Sequence, residues 1–398
     1  ALGGVLGIIA SWYLVAGRLR TESARLGALT LPRFLELRFR ANDPAIRLVA
    51  TAVIAFSFTF YIAAQFDAAG KSLEQTFGWS HMSGVLAGAT IIVFYTLMGG
   101  FFAVAWTDFI QGWIMLAALV LLPLIGLAHV GGVSGMVDKI GAIDPRFVSA
   151  SGGRSGLTLL AGVLGGFGVG LGYVGQPHLH MRYMSIRSRE DIPTARKIAI
   201  VWAVLSYGGA VLMGLVALAY FGAGYFPDPE KMMPELALSI LPAWMAGILI
   251  SGSLAAMMST ADSQLLVTTS AVTEDVYHQS FNRDADQKRL VLLSRVVTLV
   301  IGLLAVGLAQ LPRSVFDKVL FAWGGLGAAF GPALVLALWW PKATRNGTLA
   351  GMIVGFTTII IWDNIPAGDQ LYSLVPGFTF ALLANILVSL REHRNSAV

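Results

Sequence analysis

Hydroxyl and carboxyl side chains are clustered within one long apolar stretch of the chain. Ala256, Ser259, Thr260 and Ser263 are spaced so that a helix would place them on one face. Hydroxyl oxygens and locally freed carbonyl oxygens are the neutral ligands that a small hard cation accepts in place of water. Asp262 lies among them, and a carboxylate inside a membrane span costs about 3 kcal/mol unless it is paired or functional. We interpret this stretch as a cation site; simple bonding of the hydroxyls to the carbonyl at i−4 is the alternative.

Asp108 is a second acidic residue at a predicted membrane boundary. It precedes an apolar stretch, and Gln111 follows three residues later, which is the spacing of a capping box at a helix start. We therefore expect Asp108 to cap a helix near 108–130. A capping carboxylate keeps further lone pairs, so this role is compatible with a place in a cation site.

A glycine-rich stretch is the most irregular part of the apolar sequence. Seven glycines lie between Gly162 and Gly175, and Pro177 follows. Glycine costs about 1 kcal/mol against alanine inside a helix, so the stretch is expected to unwind or to pack very closely. An unwound segment survives at membrane depth only where its freed backbone lines a cavity or faces protein. Because Tyr173 and Gln176 lie here too, we interpret the stretch as a binding-site break, with close packing of small residues as the alternative.

Two motifs nearby suggest other chemistry, which the context excludes. Residues 170–175 match the dinucleotide pattern GxGxxG, but that fingerprint needs a soluble strand–helix unit around it. His178 and His180 have no acidic residue or cysteine beside them, which favours a structural or headgroup-level role over a metal site. No nucleophile–base pair or catalytic carboxylate pair stands out. We therefore expect no catalytic residue, no organic cofactor and no enzymatic activity.

The elements that position these residues are membrane-spanning helices. The 398-residue chain is 56% apolar and only 12% charged, which is about half the charged share of a soluble chain. Crossing a bilayer takes about 20 apolar helical residues. Eleven stretches approach that length, near 1–16, 46–66, 83–105, 108–130, 156–178, 197–222, 238–272, 290–311, 315–340, 347–363 and 371–390. The sequence therefore predicts an all-α polytopic membrane protein.

The basic residues indicate orientation in the membrane and no nucleic-acid partner. Most of the 27 Lys and Arg residues fall in alternate loops, beginning with the loop after the first span. The positive-inside rule makes those loops and the C-terminus cytoplasmic. The first span is short and starts at an alanine inside an apolar run, so we expect the protein to continue upstream of this sequence. No soluble domain and no obligate protein partner is indicated.

Several blocks of sequence resemble the sodium–solute symporter family, in family order and spacing along the whole chain. They are residues 11–20, 99–108, 170–178, 255–260, 264–267, 273–275, 322–332 and 344–347. The resemblance is strongest to the bacterial members that carry proline. It implies an inverted-repeat (5+5) fold of the leucine-transporter type.

The same resemblance implies a domain organisation. Residues 1–341 would be the transporter core, and 342–398 an accessory pair of transmembrane helices. Within the core, 1–130 would be the part of repeat one that follows its first helix, and 156–341 would be repeat two. That first helix supplies half of the sodium and solute sites in the family, so we expect a protein that starts at Ala1 to bind neither.

The resemblance also implies site residues. The principal sodium site would use Ala256, Ser259 and Thr260. The further sodium site of some members would involve four side chains, namely Asp108, Ser259, Asp262 and Ser263; most relatives have a hydroxyl at position 262. The solute pocket would involve Tyr61, Tyr173 and Pro177, and Val169 stands where the proline-carrying members have a tryptophan near the pocket.

The function implied by the resemblance is sodium-coupled import of a small amino acid, first of all L-proline, by alternating access in the bacterial inner membrane. Sodium would be the coupling ion, and the solute and the lipid bilayer the partners. Sodium can drive uptake only by favouring the state that binds solute. A symporter for betaine, another amino acid or a monocarboxylate is one alternative. The membrane input module of a sensor kinase, with its kinase domain beyond Val398, is another.

Overall fold

The computed structural model describes residues 1–40, 44–149, 151–366 and 370–395, and these residues contain helices and no strand. The predicted accessory pair 342–398 is described except for 367–369 and 396–398, which lie outside those ranges. In chain order the helices are α1 (Leu2–Leu26), α2 (Leu31–Arg38), α3 (Ala45–Phe77), α4 (His81–Gly100), α5 (Val104–His129), α6 (Gly132–Ile143), α7 (Gly156–Gly175), α8 (Pro177–Ser185), α9 (Ile192–Phe221), α10 (Met232–Ile240), α11 (Ala243–Phe281), α12 (Gln287–Ala309), α13 (Val315–Trp339), α14 (Arg345–Trp362) and α15 (Leu374–Asn395).

Ten helices of the described chain are long and apolar enough to cross a membrane. The eleventh predicted span, 347–363, corresponds to α14, which is not one of the ten. Its first turn carries Arg345 and Asn346, so its apolar part falls short of the roughly 20 residues that a span needs. Glycines let α14 pack closely on its neighbours: an added Cβ at Gly355 would lie 2.6 Å from the carbonyl oxygen of Ala328 in α13.

The break between α4 and α5 lies at Gly100, earlier than the sequence predicted. Gly100 has φ 55° and ψ −160°, a conformation that is essentially restricted to glycine. Helix α5 then begins at Val104. Asp108 therefore lies inside α5 and does not cap its start, so the predicted cap is wrong. Gly100 breaks the helix by its own backbone conformation, so α5 begins four residues before Asp108.

The predicted break in the glycine-rich stretch is confirmed. Residues Gly172–Gly175 form a 3₁₀ turn at the end of α7, and Gln176 has φ −91° and ψ 108°, outside the helical region. Pro177 then begins α8, since proline fits the first helical position but cannot continue a helix. Gln176 Nε2 donates to the carbonyl oxygens of Gly172 and Trp323, both at 3.2 Å. The freed backbone is thus satisfied by protein.

Close packing of small residues, the alternative reading of the same stretch, also occurs. An added Cβ at Gly7 of α1 would lie 2.3 Å from the carbonyl oxygen of Gly170 in α7. An added Cβ at Gly175 would lie 2.8 Å from Cα of Gly327 in α13. The glycines therefore serve both purposes, because a broken helix also needs neighbours close enough to cover its backbone.

Two segments that lie between predicted spans are partly helical. Residues 131–155 contain α6, whose Met136 and Ile140 are one turn apart and buried against a cluster that includes residues of α9. Helix α11 runs past the predicted end at 272 as a π-helical segment to Phe281. Within it, Asp275 is fully buried and accepts a hydrogen bond of 2.8 Å from Thr30 Oγ1.

A buried ion pair joins α3 to α13. Lys318 Nζ lies 2.5 Å from Asp67 Oδ2, and the two side chains are 1% and 4% exposed. Lys318 also donates to the carbonyl oxygen of Ala309 at 2.9 Å, and His81 Nε2 lies 3.3 Å from Asp67 Oδ1. Removing one charge of such a pair leaves the other buried without a counter-charge, which is strongly destabilising.

We expect the substitution Asp67→Asn to lower the melting temperature of the purified protein by a few degrees, because it keeps the side-chain shape but leaves Lys318 unpaired. Scanning fluorimetry in detergent would measure the shift. The matched control is Arg146→Gln, which breaks an exposed pair with Asp144 (2.6 Å) and should leave the melting temperature unchanged. Equal melting temperatures for wild type and Asp67→Asn would contradict a stabilising role of the pair.

Candidate functional site

A cavity of about 370 Å³ lies between α3, α5, α10, α11 and α13. Its wall is mostly apolar, and its polar side chains are those of Tyr61, Gln65, Ser253 and Thr260. Cavities of this size with a few convergent polar groups are typical of small-molecule sites. We call it the central cavity; its volume and polarity suit one small solute.

Helix α10 closes one side of the central cavity through Met233. Ion pairs hold the chain before α10 in place: Lys71 Nζ lies 2.8 Å from Asp228 and 2.5 Å from Glu230. Glu230 also accepts hydrogen bonds from the first two backbone amides of α13, each at 3.0 Å. Burial alone would raise the pKa of Asp228, but the hydrogen bonds from Lys71 and from a backbone amide hold that pKa below its ordinary value. The Asp228 carboxylate beside α10 therefore stays charged and paired with Lys71 at neutral pH.

Three of the four predicted solute residues gather around Trp323 of α13. The Trp323 ring lies 4.7 Å from the Tyr173 ring and 6.4 Å from the Tyr61 ring, both in edge-on arrangements. Its Nε1 donates to the carbonyl oxygen of Val169 at 2.9 Å. Val169 thus contributes its backbone, and the indole that approaches it comes from α13. Trp323 is buried, with 7% of its surface exposed.

Tyr173 is fixed at both its backbone and its hydroxyl. Its carbonyl oxygen accepts a hydrogen bond of 3.1 Å from Ser11 Oγ of α1. Its hydroxyl is hydrogen-bonded to the hydroxyl of Tyr207 in α9. The phenol ring is therefore held in one orientation against Trp323.

The fourth predicted solute residue, Pro177, lies elsewhere. It borders a separate enclosed cavity of about 10 Å³ together with Ile54, Met181 and Val267. That volume holds no solute. The place of Pro177 in the site is to begin α8 and so to end the 3₁₀ turn that carries Tyr173.

The predicted hydroxyl ligands converge on one carbonyl. Ser259 Oγ donates to the carbonyl oxygen of Ala256 at 3.1 Å, and Thr260 Oγ1 donates to the same atom at 2.8 Å. Thr260 therefore makes the i−4 bond that membrane hydroxyls commonly make. Each hydroxyl retains lone pairs after donating its proton, and those oxygens can still ligate a cation. Three oxygens of one helical turn are thus close together, which fits a sodium ligand set.

A second cavity, of about 240 Å³, lies beside this turn and is bordered by Asp108, Arg182, Ala256, Ser259 and Thr260 among others. Ala256 and Thr260 also border the central cavity. One turn of α11 therefore lies between a mostly apolar cavity and a cavity that carries the charged side chains of Asp108 and Arg182.

Arg182 of α8 occupies the space between the acidic residues. Its guanidinium is ion-paired with Asp108 and donates to Ser263 Oγ at 2.7 Å. Ser263 Oγ lies 3.2 Å from Asp108 Oδ2 and 3.3 Å from Asp262 Oδ1. The structure therefore brings together Asp108, Asp262 and Ser263 as the sequence predicted, and adds a cation from the protein itself.

Asp262 is fully buried and is held by Tyr95 of α4, whose hydroxyl donates to Asp262 Oδ2 at 2.7 Å. The same hydroxyl lies 3.1 Å from the carbonyl oxygen of Met258. Asp108 Oδ1 is buried and has no hydrogen-bond partner among the described residues. Two carboxyl groups and one guanidinium are therefore close together at this place.

The two histidines have structural surroundings. The His180 ring is fully buried, 6.0 Å from the Tyr183 ring, and the His178 ring lies edge-on to Phe58 at 5.5 Å. Among the described residues no group of three or more His, Cys, Asp or Glu side chains could hold a metal. Of the two predicted roles, packing inside the protein fits this placement and contact with lipid headgroups does not.

Sequence reasoning missed four side chains that complete the site: Tyr95, Arg182, Tyr207 and Trp323. Each reaches its partner from another helix, between 34 and 167 positions away along the chain. A single sequence carries no signal for such contacts. Trp323 alone lay within one of the family-like blocks, at 322–332, without a role attached to it.

A profile of the sodium:solute symporter family matches residues 1–355. The chain is 42% identical over 393 residues to the high-affinity proline transporter PutP of Bacillus subtilis, covering 98% of this chain and 82% of that protein. It is 40% identical over 405 residues to the sodium/proline symporter of Escherichia coli, covering 100% and 80%.

Two solved structures share the fold. A Na⁺-coupled sialic acid symporter in a substrate-bound, outward-open state aligns with a TM-score of 0.77 at 19% identity, covering 98% of this chain and 82% of that one. Mhp1, a nucleobase-cation-symport-1 transporter, aligns in a closed conformation with a TM-score of 0.56 at 15% identity, covering 98% and 86%. These likenesses confirm the predicted fold of the leucine-transporter type.

Proposed function

Because the chain belongs to the sodium:solute symporter family, we propose that it imports L-proline together with sodium by alternating access. Relatives named for proline transport match nearly the whole chain at about 40% identity. One structural observation carries the proposal: Ala256 and Thr260 border both the central cavity and the cavity beside Asp108, so solute and cation would meet across one turn of α11. The process is transport, and we assign no chemical reaction to the protein.

The solute would occupy the central cavity against Tyr61, behind which Trp323 and Tyr173 pack. Proline combines a compact apolar ring with a charged amine and a carboxylate. Aromatic faces suit the ring and attract the ammonium group. Val169 would contribute through its backbone contact with Trp323, and Pro177 by fixing the turn that carries Tyr173.

The coupling sodium would be ligated by the carbonyl oxygen of Ala256 and the hydroxyl oxygens of Ser259 and Thr260. Neutral oxygens on adjacent turns are suitable ligands for a small hard cation. Binding there would orient the same helical face that borders the central cavity. Sodium would thereby favour the conformation that binds solute, which is what coupling requires.

This assignment is tested by Thr260→Ala in the full-length protein reconstituted into liposomes. Losing one of a few ligands should raise the half-saturating sodium concentration for proline uptake about tenfold, which corresponds to about 1.4 kcal/mol. The KM for proline at saturating sodium should change little. The backbone should tolerate the change, because alanine is a good helix former.

The matched control is Thr268→Ala, two turns further along α11. The Thr268 hydroxyl is buried and donates to the carbonyl oxygen of Gln264 at 2.7 Å, outside both cavities. Its loss should leave sodium dependence unchanged. If Thr260→Ala altered only the KM for proline, or if both variants shifted sodium dependence equally, the proposed sodium site would be wrong.

We further propose that Asp108, Ser259, Asp262 and Ser263 take a second cation. Two carboxyl groups lie together at this place, and carboxylate oxygens are ligands that a small hard cation accepts. Arg182 now holds Asp108, so a sodium ion would replace Arg182 as the partner of that carboxylate. In this proposal Arg182 is a tethered counter-ion that keeps the site compact when sodium has left.

We also propose a domain organisation and a membrane orientation for the protein. Residues 1–130 would belong to repeat one and 156–341 to repeat two, with 342–398 as accessory helices. The excess of Lys and Arg in alternate loops supports a cytoplasmic C-terminus in a bacterial inner membrane. Transport would then need the solute, sodium and the bilayer, with no nucleic acid and no obligate protein partner.

A further inference from the structure

An open groove of about 300 Å³ lies on the surface of α12 near its first turn. We call it the α12 groove; it is lined by Gln287, Lys288, Val291, Leu292 and Arg295. Residues spaced by three, four and seven positions share one face of a helix, so the two cationic side chains lie on either side of two apolar ones. The groove shares no lining residue with the central cavity or with the cavity beside Asp108, so it is separate from the proposed solute and sodium sites.

The two cations of the α12 groove are exposed. Neither Lys288 nor Arg295 forms an ion pair with a described residue. The acidic residue before α12, Asp286, accepts a hydrogen bond of 2.9 Å from the backbone N–H of Arg289 and so is engaged at the start of the helix. The Arg289 guanidinium lies over the ring of Tyr277, 5.7 Å from its centroid. The groove therefore offers two positive charges that no described residue neutralises.

The same face of α12 continues from the groove as an apolar surface. Leu299 and Leu303 follow Leu292 and Arg295 at spacings of three and four, and all three leucines are exposed. In the proposed orientation, Lys288 lies at the cytoplasmic boundary of the membrane and the leucines extend toward the middle of the bilayer. A pair of cations at the membrane boundary followed by an apolar strip matches the shape of a phospholipid, with its charged headgroup and its acyl chains.

Another side of this part of α12 is fixed on α11. The hydroxyl groups of Thr298 and Thr269 are hydrogen-bonded at 2.9 Å, and Ser294 Oγ donates to Thr273 Oγ1 at 3.4 Å. The helix that carries the groove is therefore held in place by the rest of the protein. A site on a fixed element binds with a smaller loss of conformational entropy than a site that must first become ordered.

We propose that the α12 groove binds a phospholipid with a net negative headgroup in the cytoplasmic leaflet. The Lys288 ammonium group and the Arg295 guanidinium contact the phosphate oxygens, which suit the planar donors of arginine in particular. The acyl chains follow Leu292, Leu299 and Leu303. A zwitterionic headgroup would bring its own ammonium group toward the same two cations, so the anionic headgroup is favoured. This inference goes beyond the proposed function and uses the membrane orientation proposed with it.

The test is lipid binding by the purified full-length protein in detergent. Phosphatidylglycerol is titrated, and its affinity is obtained from the rise in melting temperature measured by scanning fluorimetry. Wild type should be stabilised by phosphatidylglycerol and much less by phosphatidylcholine. Each cation near the headgroup should contribute about fivefold to the affinity. Lys288→Gln and Arg295→Gln should therefore each weaken binding about fivefold, and the double variant about twenty-fivefold. Without lipid their melting temperatures should equal that of wild type, because both side chains are exposed.

Two double variants serve as controls. Lys288→Arg with Arg295→Lys keeps both charges and should bind phosphatidylglycerol within about twofold of wild type. Arg25→Gln with Arg391→Gln removes the same amount of charge from exposed positions outside the groove, in segments that the positive-inside rule also makes cytoplasmic, and should bind as wild type does. Soluble glycerol phosphate should not stabilise the protein, because it has no acyl chain to contact the leucines.

The outcomes separate this inference from the proposed function. Equal stabilisation by phosphatidylcholine and phosphatidylglycerol, or wild-type affinity in the double glutamine variant of the groove, would overturn the lipid site. An equal loss in Arg25→Gln with Arg391→Gln would overturn it too, because surface charge alone would then explain binding. Equal stabilisation by glycerol phosphate would overturn a lipid as the occupant. Absence of sodium-dependent proline uptake would refute only the proposed function, since lipid binding is measured without transport.

Discussion

Replacing Gly172 by alanine should lower sodium-dependent proline uptake about tenfold to a hundredfold. An added Cβ would lie 1.9 Å from Nε1 of Trp323 and 2.5 Å from its Cδ1. Forcing a methyl group into such a contact costs about 1–3 kcal/mol. Trp323 cannot withdraw without cost, because Nε1 donates to the carbonyl oxygen of Val169 and the ring packs on Tyr173. The substitution would therefore displace Trp323, which packs against Tyr61 on the wall of the central cavity.

The same helix supplies the control. An added Cβ at Gly166 meets no atom within 4 Å, so Gly166→Ala should transport normally. Proline binding and melting temperature of both purified variants would separate a local effect from loss of folding. A second variant, Trp323→Phe, removes the N–H group but keeps an aromatic ring, and it should give a smaller loss than Gly172→Ala. Wild-type uptake in both Gly172→Ala and Trp323→Phe would exclude this wall from solute handling.

The fold could be predicted to the extent that it depends on local sequence. Apolar length located the spanning helices, and the run of glycines ending at Pro177 located the break before α8, because proline ends a helix by its own covalent structure. Helix boundaries that depend on the backbone conformation of one residue were harder to predict from the sequence. The φ of 55° at Gly100 ends α4; Gly99 and Gly100 form a turn signal, but they lie inside an apolar run that predicts one span to residue 105.

The site could be predicted only in part for a different reason. Ser259, Thr260 and Ser263 lie on one face of one helix, so their spacing alone places them together. The side chains that contact this part of α11 come from other helices. Arg182 of α8 donates to Ser263, and Tyr95 of α4 donates to Asp262. The error at Asp108 has this origin. Its local pattern fits a capping box, but its carboxylate is paired with a residue 74 positions away.

That pairing changes what a substitution at Asp108 should do. A capping residue could be replaced by asparagine almost silently, because asparagine caps as well as aspartate. In the structure Asp108 lies inside α5, against Arg182 and Ser263. We expect Asp108→Asn to lower proline uptake at low sodium about a hundredfold, since it removes a proposed cation ligand and the ion-pair partner of Arg182.

The shape of the sodium dependence tests the proposed second cation. If Asp108 and Asp262 both ligate sodium, then Asp108→Asn and Asp262→Asn should each reduce the Hill coefficient of sodium activation toward one. Asparagine at position 262 can still accept the hydrogen bond from Tyr95, so that variant removes charge with little change of shape. Thr260→Ala, by contrast, should shift the midpoint more than the steepness.

A double variant separates a sodium ligand from a structural ion pair. Asp108→Asn combined with Arg182→Gln removes both charges of the pair, so no unpaired charge stays buried. If the pair only stabilises the fold, the double variant should recover uptake and retain the wild-type Hill coefficient. If Asp108 ligates sodium, the melting temperature should recover while the Hill coefficient stays low. Wild-type steepness in both Asp262→Asn and the double variant would leave one sodium site, formed by Ala256, Ser259 and Thr260.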